Sequence, residues 1–188
     1  MRIVAGQYRS RPLRGLPGMA TRPTSDRLRE TLFNILTAGQ PEALAGSKWL
    51  DLFAGTGAVG LEAISRGAAM VYFVESSREA AAVIRANLHS LNIAAGHTVL
   101  ERDTKHALRR LDAEGVTCDF CFVDPPYRDA DAYGETLGFL SHSHLLRPAA
   151  IVIAEHNKQF DPGTHFGHLA RYRTLRQGDS ALSFYRPT

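Results

Sequence analysis

Trp49-Leu50-Asp51-Leu52-Phe53-Ala54-Gly55-Thr56-Gly57-Ala58-Val59-Gly60 is the stretch on which the predicted fold depends. Its apolar beginning predicts a strand, its glycines match the pattern G-x-G-x-x-G, and the apolar residues that follow predict a helix. A second apolar run, Val71 to Val74, ends at Glu75, twenty residues after the first glycine. Glycines let the backbone approach a ligand closely, and an acid at this distance can bind the hydroxyl groups of a ribose. The stretch therefore predicts a site for an adenosine-containing ligand.

Asp51 distinguishes between the ligands that such a loop can bind. A loop that binds pyrophosphate presents bare N–H groups at a helix N-terminus, and a carboxylate beside two phosphates would repel them. We expect Asp51, at the end of the strand, to point into the loop, where it would favour a cation. S-adenosylmethionine carries a sulfonium and an ammonium group, so the sequence predicts this cofactor rather than NAD. The simpler alternative is a glycine turn that only packs a helix against a sheet.

The composition predicts one soluble globular domain, with 188 residues of which 44% are apolar and 22% are charged. No apolar run approaches the ~18 residues that span a membrane. Residues Met1 to Gln7 lack the apolar core of a signal peptide. We therefore predict a cytoplasmic protein without a membrane segment, and its small size favours a monomer.

Two sequence features resemble metal sites, and we predict that neither binds a metal. Cys118 and Cys121 form a C-x-x-C pattern inside an apolar strand. An offset of three in a strand places two side chains on opposite faces, so we expect two separate core residues rather than a metal or disulfide pair. His142 and His144 have no acidic or cysteine neighbours at ligand spacing.

The charge is concentrated at the N-terminus, because the segment before Asp26 contains five arginines and no acidic residue. Arginine without lysine favours bidentate contacts to phosphate or stacking on bases. We predict that residues 1–23 form a basic arm or hairpin that binds nucleic acid; a solvated basic tail is the alternative. The predicted contacts are Arg9, Arg11, Arg14, Arg22 and Arg27.

Residues 24–188 contain alternating predicted strands and helices, which indicates an α/β fold with a doubly wound, mostly parallel sheet. Thr24 or Ser25 is the expected N-cap of the first helix, whose outer face would carry Arg27, Arg29 and Glu30. Ser76 and Glu79 form a candidate capping box for a later helix. The seven predicted strands are 48–53, 70–75, 98–102, 120–123, 149–155 and a C-terminal antiparallel hairpin of 173–177 and 181–186.

An acidic residue follows or ends each of the first four predicted strands, and in a parallel sheet these ends lie at one edge, where ligands bind. The four residues are Asp51, Glu75, Asp103 and Asp124. One acid at such a position is common, whereas four in successive strands describe a lined pocket.

Asp124-Pro125-Pro126-Tyr127 follows the fourth strand and predicts the reacting site. The two prolines remove N–H donors and stiffen the loop, which leaves the Asp124 carboxylate and the Pro125 carbonyl as acceptors. An amino group on a base ring is a poor nucleophile because its lone pair is delocalised. Two acceptors that hold its hydrogens can free the lone pair for attack on a sulfonium methyl, while Tyr127 stacks on the base. A rigid turn without catalytic role is the alternative.

Asp51-Leu52-Phe53-Ala54-Gly55-Thr56-Gly57 followed by Asp124-Pro125-Pro126-Tyr127 resembles the class I S-adenosylmethionine-dependent methyltransferases that modify exocyclic amino groups. More narrowly, Arg2-Ile3-Val4-Ala5-Gly6 and Thr21-Arg22-Pro23-Thr24-Ser25-Asp26-Arg27-Leu28-Arg29-Glu30 are similar to the bacterial family that methylates N2 of one guanine in 16S ribosomal RNA. The resemblance implies an rRNA methyltransferase that acts on naked rRNA, the small ribosomal subunit or its assembly intermediate.

The resemblance also implies roles for single residues. Asp51, Gly55 and Gly57 would surround the methionine part of the cofactor, Glu75 the ribose and Asp103 the adenine. The catalytic motif would be Asp124 to Tyr127, with Asp124 first an orienting acceptor and second a base. The other residues predicted to line the cofactor pocket are Phe53, Gly60, Ser76, Thr104 and Asp124.

Three alternative functions share parts of this pattern. An N6-adenine methyltransferase of DNA or RNA has the same Asp-Pro-Pro-Tyr motif, although 188 residues leave little room for a target-recognition domain. A dehydrogenase has the same glycine loop, but Asp51 and the missing catalytic residues argue against it. A non-catalytic RNA-binding module would fail to bind the cofactor. His156, after the fifth strand, is expected to be a structural residue more readily than a catalytic one.

Overall fold

The structure is a computed structural model that describes residues 1–16, 25–126 and 129–188. Arg22 and Tyr127, two of the predicted site residues, lie outside these ranges. The described elements are α1 (Asp26–Leu36), β1 (Lys48–Leu52), α2 (Ala58–Ser65), β2 (Met70–Glu75), α3 (Arg78–Ser90), β3 (His97–Glu101), α4 (Thr104–Ala113), β4 (Cys118–Val123), α5 (Ala130–His142), β5 (Leu146–Asn157), β6 (His165–Phe166), β7 (Leu169–Gln177) and β8 (Ser180–Pro187).

The strands form one sheet in the order β3-β2-β1-β4-β5-β8-β7-β6. Strands β1 to β5 are parallel, and β8, β7 and β6 each pair antiparallel with their neighbour. The predicted α/β fold with a C-terminal hairpin is confirmed, and the described strands number eight rather than seven because two-residue β6 also pairs with β7. Strand order reverses at β1, so a ligand is expected between the ends of β1 and β4.

Alternate residues of each strand pack into two cores on opposite faces of the sheet. Helices α1, α2 and α3 cover one face, and α4 and α5 cover the other. Phe33, Trp49 and Phe120 stack in the first core, with ring centroids 5.3 and 4.8 Å apart. Both cores reach the carboxyl ends of the strands, which holds the loops of that edge on a rigid support.

Cys118 and Cys121 lie in the same core, so the prediction that they occupy opposite faces is wrong. A register irregularity between Cys118 and Phe120 turns the strand and cancels the usual alternation. Both thiols are free and buried, as expected of core residues, and burial raises the pKa of Cys118 to about 12.

Residues 2–14 form a small hairpin that packs on the domain, with Ile3 fully buried in the first core. Its main anchor is the buried Glu62 carboxylate of α2, which accepts hydrogen bonds from the N–H groups of Val4 at 2.8 Å and Ala5 at 2.9 Å. Backbone contact is close here, since a Cβ on Gly6 would lie 1.9 Å from a carbonyl oxygen of α2. Residues 2–14 of the basic segment are thus held in a defined place.

Arg29 belongs to this anchor, and the prediction that it lies on the outer face of α1 is wrong. Its side chain has no exposed surface, and its Nε lies 3.4 Å from Glu62 Oε2. Arg66 Nε approaches the same carboxylate at 2.8 Å, and Arg29 also donates to Asp26 at 2.9 Å. Burial of the Glu62 charge requires paired cations, which explains why an arginine turns inward.

Candidate cofactor and substrate site

The Asp51 side chain lies under the glycine loop, in the sheet row that faces α2. Its Oδ2 accepts a hydrogen bond from the Gly60 N–H at 2.9 Å, and only 2% of the residue is exposed. Burial, partly opposed by that hydrogen bond, raises the pKa of Asp51 to about 7, and the Glu75 charge adds to the rise. Its ionised form is therefore poorly compensated, and the contact of Asp51 with a cationic ligand stays a prediction.

The three glycines of the loop meet different constraints. Gly55 and Gly57 have φ values of +55° and +78°, which favour glycine, and a Cβ on Gly55 would meet only open space. A Cβ on Gly60 would lie 2.3 Å from the Phe73 ring and 2.8 Å from Val71. Gly60 therefore serves the packing of α2 on the sheet, whereas the open side of Gly55 leaves room for a ligand.

Phe53 begins the turn with a φ of +58°, which is uncommon for a side chain other than glycine. It is half-buried against the core under α4 and α5. This strained backbone directs the chain from the end of β1 into the glycine loop.

Glu75 connects the ends of β1 and β2. Its Oε2 accepts from the Gly55 N–H and its Oε1 from the Ser77 N–H, both at 2.8 Å. The predicted capping box of Ser76 is wrong by one residue, because Ser77 Oγ caps α3 through the Ala80 N–H at 3.3 Å. Ser76 itself is exposed at this edge.

Asp103 follows β3 and caps α4. One carboxylate oxygen accepts the His106 N–H at 3.0 Å, and the other lies 2.5 Å from His106 Nδ1. These hydrogen bonds hold the pKa of Asp103 below its usual range. The next residue, Thr104, is buried as the first residue of α4. Contacts of both residues with a cofactor stay predictions.

Asp124 follows β4 at the same edge, next to the glycine loop. Leu52 pairs with Val123, and the Asp124 N–H donates to the Leu52 carbonyl at 3.4 Å. Desolvation raises the pKa of the half-buried Asp124 well above its usual range, and the nearby charges of Glu155 and Asp51 add to the rise. Pro125 is buried and Pro126 is exposed, so the turn leaves the sheet directly after the carboxylate.

Glu155 and Asn87 are buried polar residues near this edge for which the sequence predicted no role. Glu155 is 3% exposed in β5, one position beyond the Val123–Ala154 pair and thus beside Asp124. Asn87 of α3 is fully buried and donates to the carbonyls of Arg14 and Thr56 at 3.2 and 3.1 Å. A lone acid at the end of an apolar strand and an asparagine on an apolar helix face were the signals available.

His156 is a satisfied structural residue, as expected. Its Nδ1 lies 2.9 Å from the Asn157 carbonyl and its Nε2 lies 2.9 Å from Ser183 Oγ. Burial lowers the pKa of His156, which favours the neutral imidazole at this edge of the sheet.

The predicted arginine contacts do not form one group. Arg9 and Arg27 line a recess of ≈ 420 Å³ together with Arg2, Asp26 and Glu30. Arg11 instead donates to the Ser90 carbonyl at 3.0 Å, on the other side of the hairpin. Arg14 is exposed, while its backbone N–H is fixed to Asn87 at 2.8 Å.

Within the described residues, no group of three or more histidine, cysteine, aspartate or glutamate side chains could hold a metal ion. The same part of the chain contains no helix that is long and apolar enough to cross a membrane.

A glycine loop after β1, an acid at the end of β2 and an Asp-Pro-Pro turn after β4, on a sheet with this strand order, define a methyltransferase of the Rossmann-like class. The chain belongs to the family described as conserved hypothetical protein 95, whose model matches residues 1–186. Ribosomal RNA small subunit methyltransferase D of Escherichia coli strain K12 is 36% identical over 188 residues, which cover 99% of this chain and 89% of that protein.

Solved structures share the fold. The candidate methyltransferase yhhF of Escherichia coli superposes with a TM-score of 0.84 at 32% identity and covers 100% of this chain and 97% of that one. SMU.776, a candidate methyltransferase solved with S-adenosylhomocysteine, has a TM-score of 0.68 at 17% identity over 86% of this chain and 48% of that one. The family and the fold confirm the resemblance seen in the sequence.

Proposed function

We propose that this protein transfers a methyl group from S-adenosylmethionine to the exocyclic N2 amino group of one guanine in 16S ribosomal RNA, which leaves S-adenosylhomocysteine. The observation that carries the proposal is the adjacency of the Asp124 turn and the glycine loop at the switch point of the sheet. The Escherichia coli relative, ribosomal RNA small subunit methyltransferase D, supports ribosomal RNA of the small subunit as substrate. Such a substrate would place the protein in the cytoplasm, and we propose that it acts as a monomer.

The chemistry of the donor set fits this cofactor. Asp51 offers a buried, poorly compensated negative charge to a cation, and Gly55 leaves open space above the loop. Glu75 and Asp103 present carboxylates at the ends of β2 and β3, suited to ribose hydroxyls and an adenine amino group. When bound, S-adenosylmethionine supplies an activated methyl group on a sulfonium sulfur.

Asp124 would act on the amino group of the target base. Its ionised carboxylate accepts a hydrogen bond from the amino N–H and turns the nitrogen lone pair towards the methyl carbon. With S-adenosylmethionine bound, this nitrogen would accept the sulfonium methyl group, leaving S-adenosylhomocysteine, and Asp124 or water would take the proton that the cationic amine then loses. A carboxylate with a raised pKa is a better proton acceptor than an ordinary aspartate.

The raised pKa of Asp124 gives the reaction a predicted pH dependence. Because the acceptor is the ionised form, methyl transfer should rise as the pH increases through the range in which this carboxyl group loses its proton. At saturating cofactor, which removes the effect of Asp51 ionisation on binding, Asp124→Asn should lower single-turnover methyl transfer by about two orders of magnitude and abolish that rise. The matched control is Asp131→Asn, an exposed aspartate of α5, which should keep wild-type transfer.

The direct test uses radiolabelled S-adenosylmethionine with deproteinised 16S rRNA and with partly assembled small subunits, followed by nucleoside analysis. N2-methylguanosine in either substrate is the expected product, and the preferred substrate would tell when the protein acts. Label in N6-methyladenosine would show that the target base is adenine rather than guanine, while methyl transfer from S-adenosylmethionine would stand. Cofactor binding without transfer to either substrate would refute the proposed function.

A further inference from the structure

We infer that a basic recess beside the carboxyl end of β5 binds a backbone phosphate of the substrate RNA, next to the base that is methylated. This recess, which we call the C-terminal recess, has a volume of ≈ 510 Å³. The lining residues that matter here are His156, Lys158, Phe160, Asp161, Arg171 and Arg176. The inference rests on the proposed function, because it names the part of the surface that would hold the RNA during that reaction.

The recess lies close to the end of β4 in the sheet. His156 pairs with Ala181 of β8, and Ala181 pairs with Arg176 of β7, so these residues form one row across the sheet. That row lies two positions beyond Ala154, which pairs with the last residue of β4 before Asp124. Neighbouring strands lie about 4.8 Å apart, so the recess begins roughly one strand and ends roughly three strands from Asp124. A nucleotide flanking the base at Asp124 would reach the recess across the carboxyl edge of the sheet, because Ala154 and His156 lie on the face opposite to the Asp124 side chain.

The recess has an excess of positive charge, although two of its three cations are already paired. Lys158 Nζ lies 3.1 Å from the Asp179 carboxylate, and Arg171 is paired with Asp161, so Arg176 supplies the excess. Asp161 is already engaged, since its carboxylate accepts from both terminal nitrogens of Arg171 at 2.5 and 3.1 Å. Among the described residues no carboxylate forms an ion pair with the exposed Arg176. The recess thus keeps a net positive charge, which suits a phosphodiester.

Contacts among the lining residues hold part of the recess in place. Arg171 is held by Asp161 and also donates to Ser183 Oγ at 3.4 Å, while Ser183 in turn contacts the His156 ring. Phe160 packs against Tyr133 with ring centroids 5.1 Å apart, which fixes the apolar wall. A pre-organised recess loses less conformational entropy when it binds than a set of free surface chains does.

The same strand supplies a matched control. Arg173 lies on the opposite face of β7, where its guanidinium stands 5.9 Å from the Phe184 ring centroid. Replacing Arg173 or Arg176 by glutamine removes the same charge from the same strand, so a difference between the two variants reports position rather than net charge. Lys158→Gln, alone and together with Arg176→Gln, extends the series within the recess.

The experiment measures the affinity of each folded variant for a deproteinised 16S rRNA fragment by fluorescence anisotropy at several salt concentrations. Arg176→Gln with Lys158→Gln should weaken binding about tenfold or more and lower the slope of log affinity against log salt by roughly 0.7 for each lost phosphate contact. Arg173→Gln should bind like the wild type. Equal affinities and slopes for the recess variants and Arg173→Gln would overturn the inference.

The outcome is separable from that of the proposed function, because binding is read without methyl transfer. If the wild-type protein methylates the RNA and the recess variants bind the RNA normally, only the phosphate site is refuted. A binding defect confined to the recess variants supports the phosphate site even where the methylated nucleoside proves to be a different one.

Discussion

Replacing Asp51 by asparagine should make the protein more stable at neutral pH and, at the same time, a weaker binder of S-adenosylmethionine. The side chain is 2% exposed, and the neutral amide can still accept the Gly60 hydrogen bond through its oxygen. The substitution therefore removes a buried charge and leaves the local geometry in place. Stability and cofactor affinity should move in opposite directions.

The magnitude follows from the pKa of Asp51, which lies at about 7 against an ordinary value of 3.8. Below that ordinary value the carboxyl group is protonated in both the folded and the unfolded chain, so it costs nothing. As the pH rises towards 7, the unfolded chain releases the proton first, and the wild type loses up to about 4 kcal/mol. Asp51→Asn has no such loss, so its advantage should grow across this window and then level off.

The assay is urea unfolding of both proteins at several pH values between about 4 and about 8. A constant difference in the free energy of unfolding across this range would refute the assignment of the raised pKa to Asp51. Calorimetric titration with S-adenosylmethionine at about pH 8 supplies the second readout, and we expect the variant to bind at least about tenfold more weakly, equivalent to about 1.4 kcal/mol. Unchanged affinity would remove Asp51 from the cofactor site.

Two further predictions concern the supports of the site. Gly60→Ala should lower the free energy of unfolding by about 2 kcal/mol or more, because the new methyl group would meet the Phe73 ring at 2.3 Å. The methyl group of Gly55→Ala would meet no atom, so this variant should lose only about 1–2 kcal/mol of unfolding free energy, through the positive φ of residue 55. Denaturant unfolding of both variants compares them directly, and equal losses would contradict the packing role of Gly60. Glu62→Gln breaks the buried anchor of the N-terminal hairpin and should cost about 3–5 kcal/mol, with faster amide exchange at Val4 as its local readout.

The sequence by itself determined the class of fold and the edge of the sheet at which chemistry occurs. The strand, glycine turn and helix around Gly55 follow one another directly along the chain, and Glu75 and Asp124 each end or follow an apolar strand pattern. Such signals are local, because hydrophobic periodicity and turn chemistry depend on near neighbours. Element bounds were less well determined, as the shift of the α3 cap from Ser76 to Ser77 illustrates.

Only the tertiary structure decided how distant residues are combined. Arg29 looks like any exposed helix arginine until Glu62 is brought to it from α2, and the two cysteines share a face only because β4 is irregular. The raised pKa of Asp124 likewise requires Glu155, which lies far along the chain but on the adjacent strand. Burial and charge interaction depend on separation in space, which a one-dimensional pattern of residues does not contain.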